Sequence, residues 1–371
     1  MTDDIPPERP NPDAEAEIQR LRADIDAVDQ QILELINRRL VLAGRIGDVK
    51  KQGGRRILDS SREAAVIRRL TALNPGPLSA GDLRHIFMEI IGLCRDIQKT
   101  LKIAYLGPEA SFTHAAALAH FGHFAELKPL CGLQELFGEI EKGVYRYGVV
   151  PVEYAVEGVL LHAMDYFLDC DLEICAEVYQ TVSYDLVAAG DEPAAIRKIY
   201  GRPQAIARCR RWIGENLPWA ECEACASAAQ AVRLAAAEAG SAAIVGGAVP
   251  TAHTLAVLAQ GIENRAGNRA RFLVIGRDPV PPTGRDKTSL ILAVPHAPGA
   301  LNRVLRPLEE AGINMVKLES RPARHKTWDY TFFVDIEGHR NEPRVAETLE
   351  KVRSLSLFLK CVGSYPEAPR D

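Results

Sequence analysis

A cation stands where a hydrophobic residue belongs. From Leu21 the chain runs Leu21, Ile25, Val28, Ile32, Leu35, Arg39, Leu42, Ile46 and Val49. The steps alternate four and three, which lays these side chains along one face of a single helix. Residues 17–52 read as that helix, ended by Gly53-Gly54. One small domain cannot cover so long an apolar stripe, and pairing with a second chain is the expected remedy. Arg39, as a member of the stripe, is expected to be partly buried. A buried guanidinium without a partner costs several kcal/mol, so an anion is required there, from a protein carboxylate or from a ligand.

The surrounding residues favour a ligand. Lys50 lies eleven residues after Arg39. This is about three turns, so the two cations share a face about 16 Å apart. Arg62 and Glu63 follow in a second segment and Gln98 closes a third. Arg22 is about 25 Å from Arg39 along the axis and is turned to another face. It suits the pocket of a second chain better than that of its own. The plain alternative is that all of these are solvated surface charges, as Lys and Arg usually are.

The chain has 371 residues, enough for two or three domains. Its net charge of −4 gives no reason to expect nucleic acid or an anionic membrane as partner. No basic and apolar leader and no uninterrupted bilayer-length apolar run is present, so a cytoplasmic protein is expected. Cys222 and Cys225 form one CxxC with no second pair at a zinc-binding spacing, and His120 and His123 are an equally weak pair. Neither a metal nor a cofactor is expected, and buried thiols are the simpler reading.

Residues 1–14 are rich in Pro, Asp and Glu and are expected to be disordered. Residues 15–100 form an all-helical unit, with further helices at about 60–73 and 80–99 separated by Asn74-Pro75-Gly76-Pro77. From Lys102 short strands alternate with helices, which predicts a largely parallel α/β domain over 101–278. Its candidate site loops, Gly107 to Thr113 and Pro151 to Gly158, follow strands. Residues 278–286 read as a linker. Residues 286–366 then give a βαββαβ order, as in ferredoxin-like units.

The sequence 21–50, LRADIDAVDQQILELINRRLVLAGRIGDVK, is similar to the first helix of AroQ-type chorismate mutases. Residues 298–322 carry Gly299-Ala300-Leu301 and Glu319-Ser320-Arg321-Pro322, the two motifs of ACT domains from phenylalanine synthesis. Between them Gly107, Pro108, Ser111, Phe112, Thr113, Pro151, Glu153, Gly158, Pro203, Gln204, Asn268, Arg271 and Phe272 match the frame of prephenate dehydratases. From about residue 18 to 366 the chain thus resembles the bifunctional chorismate mutase/prephenate dehydratases. The resemblance implies a helical mutase domain, a two-lobed α/β dehydratase-like domain and a ferredoxin-like ACT domain. It implies mutase ligand positions at Arg22, Arg39, Lys50, Asp59, Arg62, Glu63 and Gln98, with Cys94 where some relatives have serine. It also implies an intertwined homodimer, or a tetramer of such dimers, with Arg22 crossing into the partner's site. The substrate would be chorismate, the product prephenate, and phenylalanine the effector at the ACT motifs. The rearrangement needs no proton transfer. Arg22 and Arg39 would hold carboxylates, Lys50 and Gln98 would donate to the ether oxygen, and Glu63 would hold the ring hydroxyl. An amide at Gln98 donates at any pH.

The dehydratase half departs from its family. Thr-Arg-Phe, whose threonine is the expected proton donor to the departing hydroxyl, reads Ala270-Arg271-Phe272. Pro-x-Glu-Asn-Ser/Thr reads Pro151-Val152-Glu153-Tyr154-Ala155, His-Pro-Gln reads Arg202-Pro203-Gln204, and Ser-Thr-Ala reads Ala226-Ser227-Ala228. Loss of a general acid typically costs about 10² to 10⁴ in rate. Three readings follow. The middle domain is a non-catalytic coupling unit of a regulated mutase; or both reactions occur with Tyr154, Ser227 or water as the acid; or prephenate is decarboxylated without loss of its hydroxyl, with Tyr154 or His162 delivering a proton.

Overall fold

The computed structural model describes residues 12–52, 60–98, 101–154, 158–159, 161–190, 192–246, 255–265, 267–322 and 330–368. The first unit consists of α1 (Pro12–Gln52), α2 (Ser60–Leu73) and α3 (Ala80–Gln98). α1 begins at Pro12, inside the 1–14 stretch expected to be disordered. Proline suits a first helical turn because its fixed φ is helical and its missing N–H would have had no partner there. α3 starts with a reciprocal cap. Asp82 N donates to Ser79 Oγ at 3.0 Å and Ser79 Oγ donates to the Asp82 carboxylate at 2.6 Å.

The apolar stripe of α1 is not what meets α3. Ile25, Leu35 and Val49 are 58%, 64% and 68% exposed. The face that packs on α3 is the neighbouring one, through Ala43, Gly47 and the half-buried Arg39. Arg39 is half-buried, and α3 of its own chain is what covers it.

The middle domain has two sheets. The first contains β1 (Lys102–Leu106), β2 (Glu126–Leu130), β3 (Tyr147–Tyr154), β4 (Gly158–Val159), β5 (Glu173–Thr181) and β11 (Arg269–Gly276), in the order β2-β1-β3-β11-β5 with β4 on β3. The second contains β6 (Asp185–Ala188), β7 (Lys198–Gly201), β8 (Glu221–Ala224), β9 (Ser241–Val245) and β10 (Ala256–Ala259), in the order β10-β6-β9-β7-β8. The domain's helices are α4 (Phe112–Phe121), α5 (Leu133–Glu141), α6 (Leu161–Asp169), α7 (Pro203–Asn216) and α8 (Ala228–Ala237). The sheets are mixed, not largely parallel as the alternation of elements suggested. The chain leaves the first sheet after β5 and re-enters it from the second lobe as β11, which lies antiparallel between β3 and β5. One core spans both lobes, joining Val149, Ala270 and Phe272 to Leu186, Ile199 and Ile244.

The last domain is β12 (Asp286–Ala293), α9 (Ala300–Glu310), β13 (Met315–Pro322), β14 (Tyr330–Glu337), α10 (Pro343–Leu355) and β15 (Phe358–Pro366). This is the expected βαββαβ order, in a sheet β13-β14-β12-β15. The preceding linker is tied down. Thr283 N and Gly284 N both donate to the Asp286 carboxylate, at 2.7 and 3.0 Å, and His339 bonds Val280 O at 2.9 Å. One helix-free face of this sheet packs on the first sheet of the middle domain, and Val150, Leu273 and Ile275 share a core with Ile291, Phe333 and Val362.

Gly363 sets the spacing of that contact. A Cβ there would lie 2.4 Å from Ile174 O and 2.7 Å from Ile174 N, in backbone that cannot move aside. Gly363→Ala is expected to lower the unfolding free energy by about 1–3 kcal/mol, read as a shift in the urea midpoint. An unchanged midpoint would mean that the sheets are not held this closely.

Candidate functional site

In the helical unit Arg39 Nη1 donates to Ile90 O at 3.3 Å and to Cys94 Sγ at 2.6 Å. Burial pushes the Cys94 thiol above its ordinary value, against the pull of Arg39. Arg39 thus rests on a carbonyl and a neutral thiol. Among the described residues no carboxylate bridges it, so a substrate carboxylate would meet little competition. Lys50 and Glu63 are half-buried, while Arg62 and Arg22 are exposed. Asp59 lies outside the described residues, and of Gln98 only the backbone, at the end of α3, is described. Sequence reasoning missed Arg95. Only 5% exposed, it lies 3.6 Å from the Glu63 carboxylate and donates to Phe121 O at 2.8 Å. The signal was the one that picked out Arg39. Arg95 sits four residues after the buried Ile91 and seven after the buried Met88, a cation on the inward face of a helix.

In the middle domain a β-bulge decides which motif residues meet. β3 and β11 pair Tyr154 with Ala270 and Glu153 with Arg271, and the register then slips so that Phe272 faces Pro151. The extra residue is Val152. Directly opposed residues share a face. Tyr154 and Ala270 therefore lie together, with Gln180 of β5 beside Ala270 on its other flank. Tyr154 packs on the core that joins the lobes, and Arg208 of α7 lies over its ring at 5.1 Å and over that of Tyr184 at 5.9 Å. Tyr184 lines the cleft together with Ser111, Arg202 and Gln204. Burial pushes its hydroxyl up to about 12, so it stays protonated at neutral pH.

Other expected pocket residues are placed less directly. Ser111 caps α4, accepting from His114 N at 3.3 Å, and Ser227 caps α8, accepting from Gln230 N at 3.1 Å. Thr113 and Phe272 are buried. Asn268 is buried, its backbone carbonyl accepts from Val182 N at 2.7 Å, and its side-chain oxygen has no partner among the described residues. Ala155 lies outside the described residues, and the His162 side chain is not described. Gln180, Tyr184 and Arg208 belong to no motif; only the fold brings them to this face.

Glu153 and Arg271, expected in the same pocket, lie on the opposite face, against the ACT sheet. Glu153 forms an ion pair with Lys317 of β13. Arg271 Nε donates to Glu177 at 3.0 Å, Nη1 to Asp335 at 2.7 Å and Nη2 to the Tyr365 hydroxyl at 2.8 Å. Lys287 donates to Glu177 at 2.6 Å, and Ser289 donates to Asp335 at 2.6 Å. Burial and the Asp335 carboxylate push the Tyr365 hydroxyl well above its ordinary value.

The regulatory motifs are also separated within one chain. Gly299, in the left-handed region at φ 71°, opens α9 and joins Ala300, Leu301, Tyr330 and Phe332 around one cavity. Glu319, Ser320 and Arg321 lie on the edge strand β13, and Arg321 pairs with the buried Asp165 of α6 at 2.5 Å. The side chain of Pro322 is not described.

Residues 21–99 match the chorismate mutase type II family, residues 103–280 the prephenate dehydratase family and residues 288–354 the ACT domain family. The bifunctional chorismate mutase/prephenate dehydratase of Aquifex aeolicus is 39% identical over 356 residues, covering 95% of this chain and 98% of that protein. This chain belongs to that family. The protein of the same description from Pseudomonas aeruginosa is also 39% identical, over 358 residues, with 95% and 98% covered. A crystal structure of the prephenate dehydratase from Arthrobacter aurescens in complex with L-Phe aligns with a TM-score of 0.64 and 29% identity, over 72% of this chain and 90% of that one.

Among the altered positions, Ala270 and Tyr154 share the strand face turned to the core that joins the lobes, and Arg202 lines the cleft beside the matching Ser111 and Gln204. Glu153 and Arg271, which match the family, face the ACT sheet. Arg271→Ala would leave Glu177 and Asp335 buried with one cation fewer. It is expected to cost about 3–5 kcal/mol in chemical denaturation. A loss below about 1 kcal/mol would show that water already reaches the cluster.

Proposed function

We propose that this chain is a regulated chorismate mutase that works as a pair of intertwined chains. The observation that carries this reading is Arg39, held between α1 and α3 on a carbonyl and a thiol, with half-buried Lys50 and Glu63 in the same helical unit. Such a site needs only to hold chorismate in its compact conformer and stabilise charge on the breaking ether oxygen. Arg39 would take one carboxylate, Lys50 and Gln98 the ether oxygen, and Glu63, oriented by Arg95, the ring hydroxyl. Asp59 and Arg62 would complete the pocket. The bare stripe from Leu21 to Val49 supports a second copy as its cover, which would carry the partner's Arg22 into the site. Phenylalanine is the proposed effector. Its cavity would form where Gly299-Ala300-Leu301 of one chain meets Glu319–Pro322 of the other, since one chain keeps these motifs apart. Dimers could pair further into tetramers in the cytoplasm.

For the middle domain we propose that prephenate is held in the cleft and that expulsion of its hydroxyl is slow, because position 270 offers a methyl group in place of an acid. A second reading has its own observation. Tyr154 stands beside Ala270 in register, with Arg208 over its ring. A phenol there could protonate the departing hydroxyl as carbon dioxide leaves, giving phenylpyruvate and water, or protonate a ring carbon as carbon dioxide leaves, with the hydroxyl kept.

Arg39→Ala is expected to lower kcat/KM for chorismate by about 10²-fold or more without loss of fold. Mixing Arg22→Ala chains with Arg39→Ala chains should restore one intact site per heterodimer; no recovery would refute the crossed site. For the middle domain, products formed from chorismate would be followed by absorbance and mass. Persistent prephenate, with dehydration gained on Ala270→Thr, is expected from the first reading. Phenylpyruvate, or a decarboxylated product that keeps the hydroxyl, lost on Tyr154→Phe, would replace it with the second.

A further inference from the structure

We infer that the cavity between the first sheet of the middle domain and the ACT sheet is a binding site for a small monocarboxylate. It is separate from the mutase pocket, from the interlobe cleft and from the cavity at Gly299. It holds about 310 Å³, the size of an ordinary small-molecule site. Both domains wall it: Tyr179, Arg269 and Arg271 from one side, Lys287, Val316 and Lys317 from the other.

The charges around it do not balance. The cations are Arg269, Arg271, Lys287 and Lys317. The carboxylates they meet are Glu153, Glu177 and Asp335. Each of these three is already engaged by Arg271, Lys287 or Lys317. Arg269 is the cation left over. Its Nε is buried without a hydrogen-bond partner among the described residues, and its guanidinium lies over the Tyr179 ring at 5.7 Å. A buried donor left unpaired is costly, and a charged one more so. One carboxylate would satisfy both the donor and the surplus charge, whereas a dianion would overshoot. Val316 and the Tyr179 ring supply an apolar wall, so the acid should carry a small apolar or aromatic body. Arg269 directly precedes Ala270 on β11, so an acid bound here would touch the strand that carries the cleft.

The inference holds whether or not the middle domain is catalytic, and its test needs no turnover. The full chain would be titrated calorimetrically with 3-phenylpropanoate, and separately with inorganic phosphate. Saturable binding of one 3-phenylpropanoate per chain is expected, weakened about tenfold or more by Arg269→Gln, partly kept by Arg269→Lys, and unchanged by Arg202→Gln in the cleft. Binding that survives Arg269→Gln but falls with Arg202→Gln would place the acid in the cleft and overturn the assignment. Absence of saturable binding at millimolar 3-phenylpropanoate would also overturn it, as would phosphate binding more tightly than the monocarboxylate.

Discussion

The guanidinium of Arg271, shared among Glu177, Asp335 and the Tyr365 hydroxyl, is the contact on which the relation of the middle domain to the ACT sheet depends. The apolar core beside it, where Ile291, Phe333 and Val362 pack with Leu273 and Ile275, supplies adhesion and close packing. The ion cluster cannot slide. Two cations and two carboxylates are buried to 6% exposure or less, and a shift of one strand would strand a charge away from water. Such a cluster adds little net stability compared with an apolar packing of the same volume. What it fixes is the register of one sheet against the other.

That fixed register gives β3 and β11 two audiences. Side chains alternate between the faces of a strand, so each motif is split. Glu153 and Arg271 face the ACT sheet, while Tyr154 and Ala270 face the core that joins the lobes. The bulge at Val152 makes this possible. Were Val152 an ordinary, unbulged member of the strand, alternation counted from Pro151 would turn Glu153 to the face of Ala270 and Tyr154 to the ACT sheet. Adjacent residues of one strand pair therefore face different neighbours, and a change at one face need not disturb the other. On this strand pair the altered residues Tyr154 and Ala270 share one face and the matching Glu153 and Arg271 share the other, while the matching Ser111 and Gln204 line the cleft.

Much of this was legible in the sequence, for stated reasons. The long helix showed in its 3.6-residue periodicity, and the ACT order in the spacing of its strands. Arg39 was visible because a cation in an apolar stripe is a local anomaly. Arg95 carried the same signal on a shorter helix and was passed over because no motif drew attention to it. The sheets were expected to be largely parallel because alternation of strand and helix says nothing about a chain that leaves a sheet and returns. The ACT-facing role of Glu153 and Arg271 was illegible for a related reason. A bulge shifts one residue, and nothing in Pro151-Val152-Glu153-Tyr154 marks which residue is extra. The grouping of Gln180, Tyr184 and Arg208 with Tyr154 comes from crossings between lobes, which no local pattern encodes.

The helical unit joins this arrangement through the two ends of α4. Its last carbonyl region, at Phe121, receives a bond from Arg95, and Arg95 faces the Glu63 carboxylate. Its first turn, capped by Ser111, opens on the interlobe cleft. A helix carries partial negative charge at its C-terminus and partial positive charge at its N-terminus, each effective over about one turn. Arg95 is thus placed to stabilise one end of α4 by up to about 2 kcal/mol in a partly buried setting. The other end presents backbone donors where a carboxylate of a substrate in the cleft would lie. The same guanidinium lies 3.6 Å from the Glu63 carboxylate in the helical unit. Each end effect reaches only about one turn of this ten-residue helix, so the hold of Arg95 on Phe121 anchors α4 to the helical unit and leaves the Ser111 cap at the cleft to its own contacts.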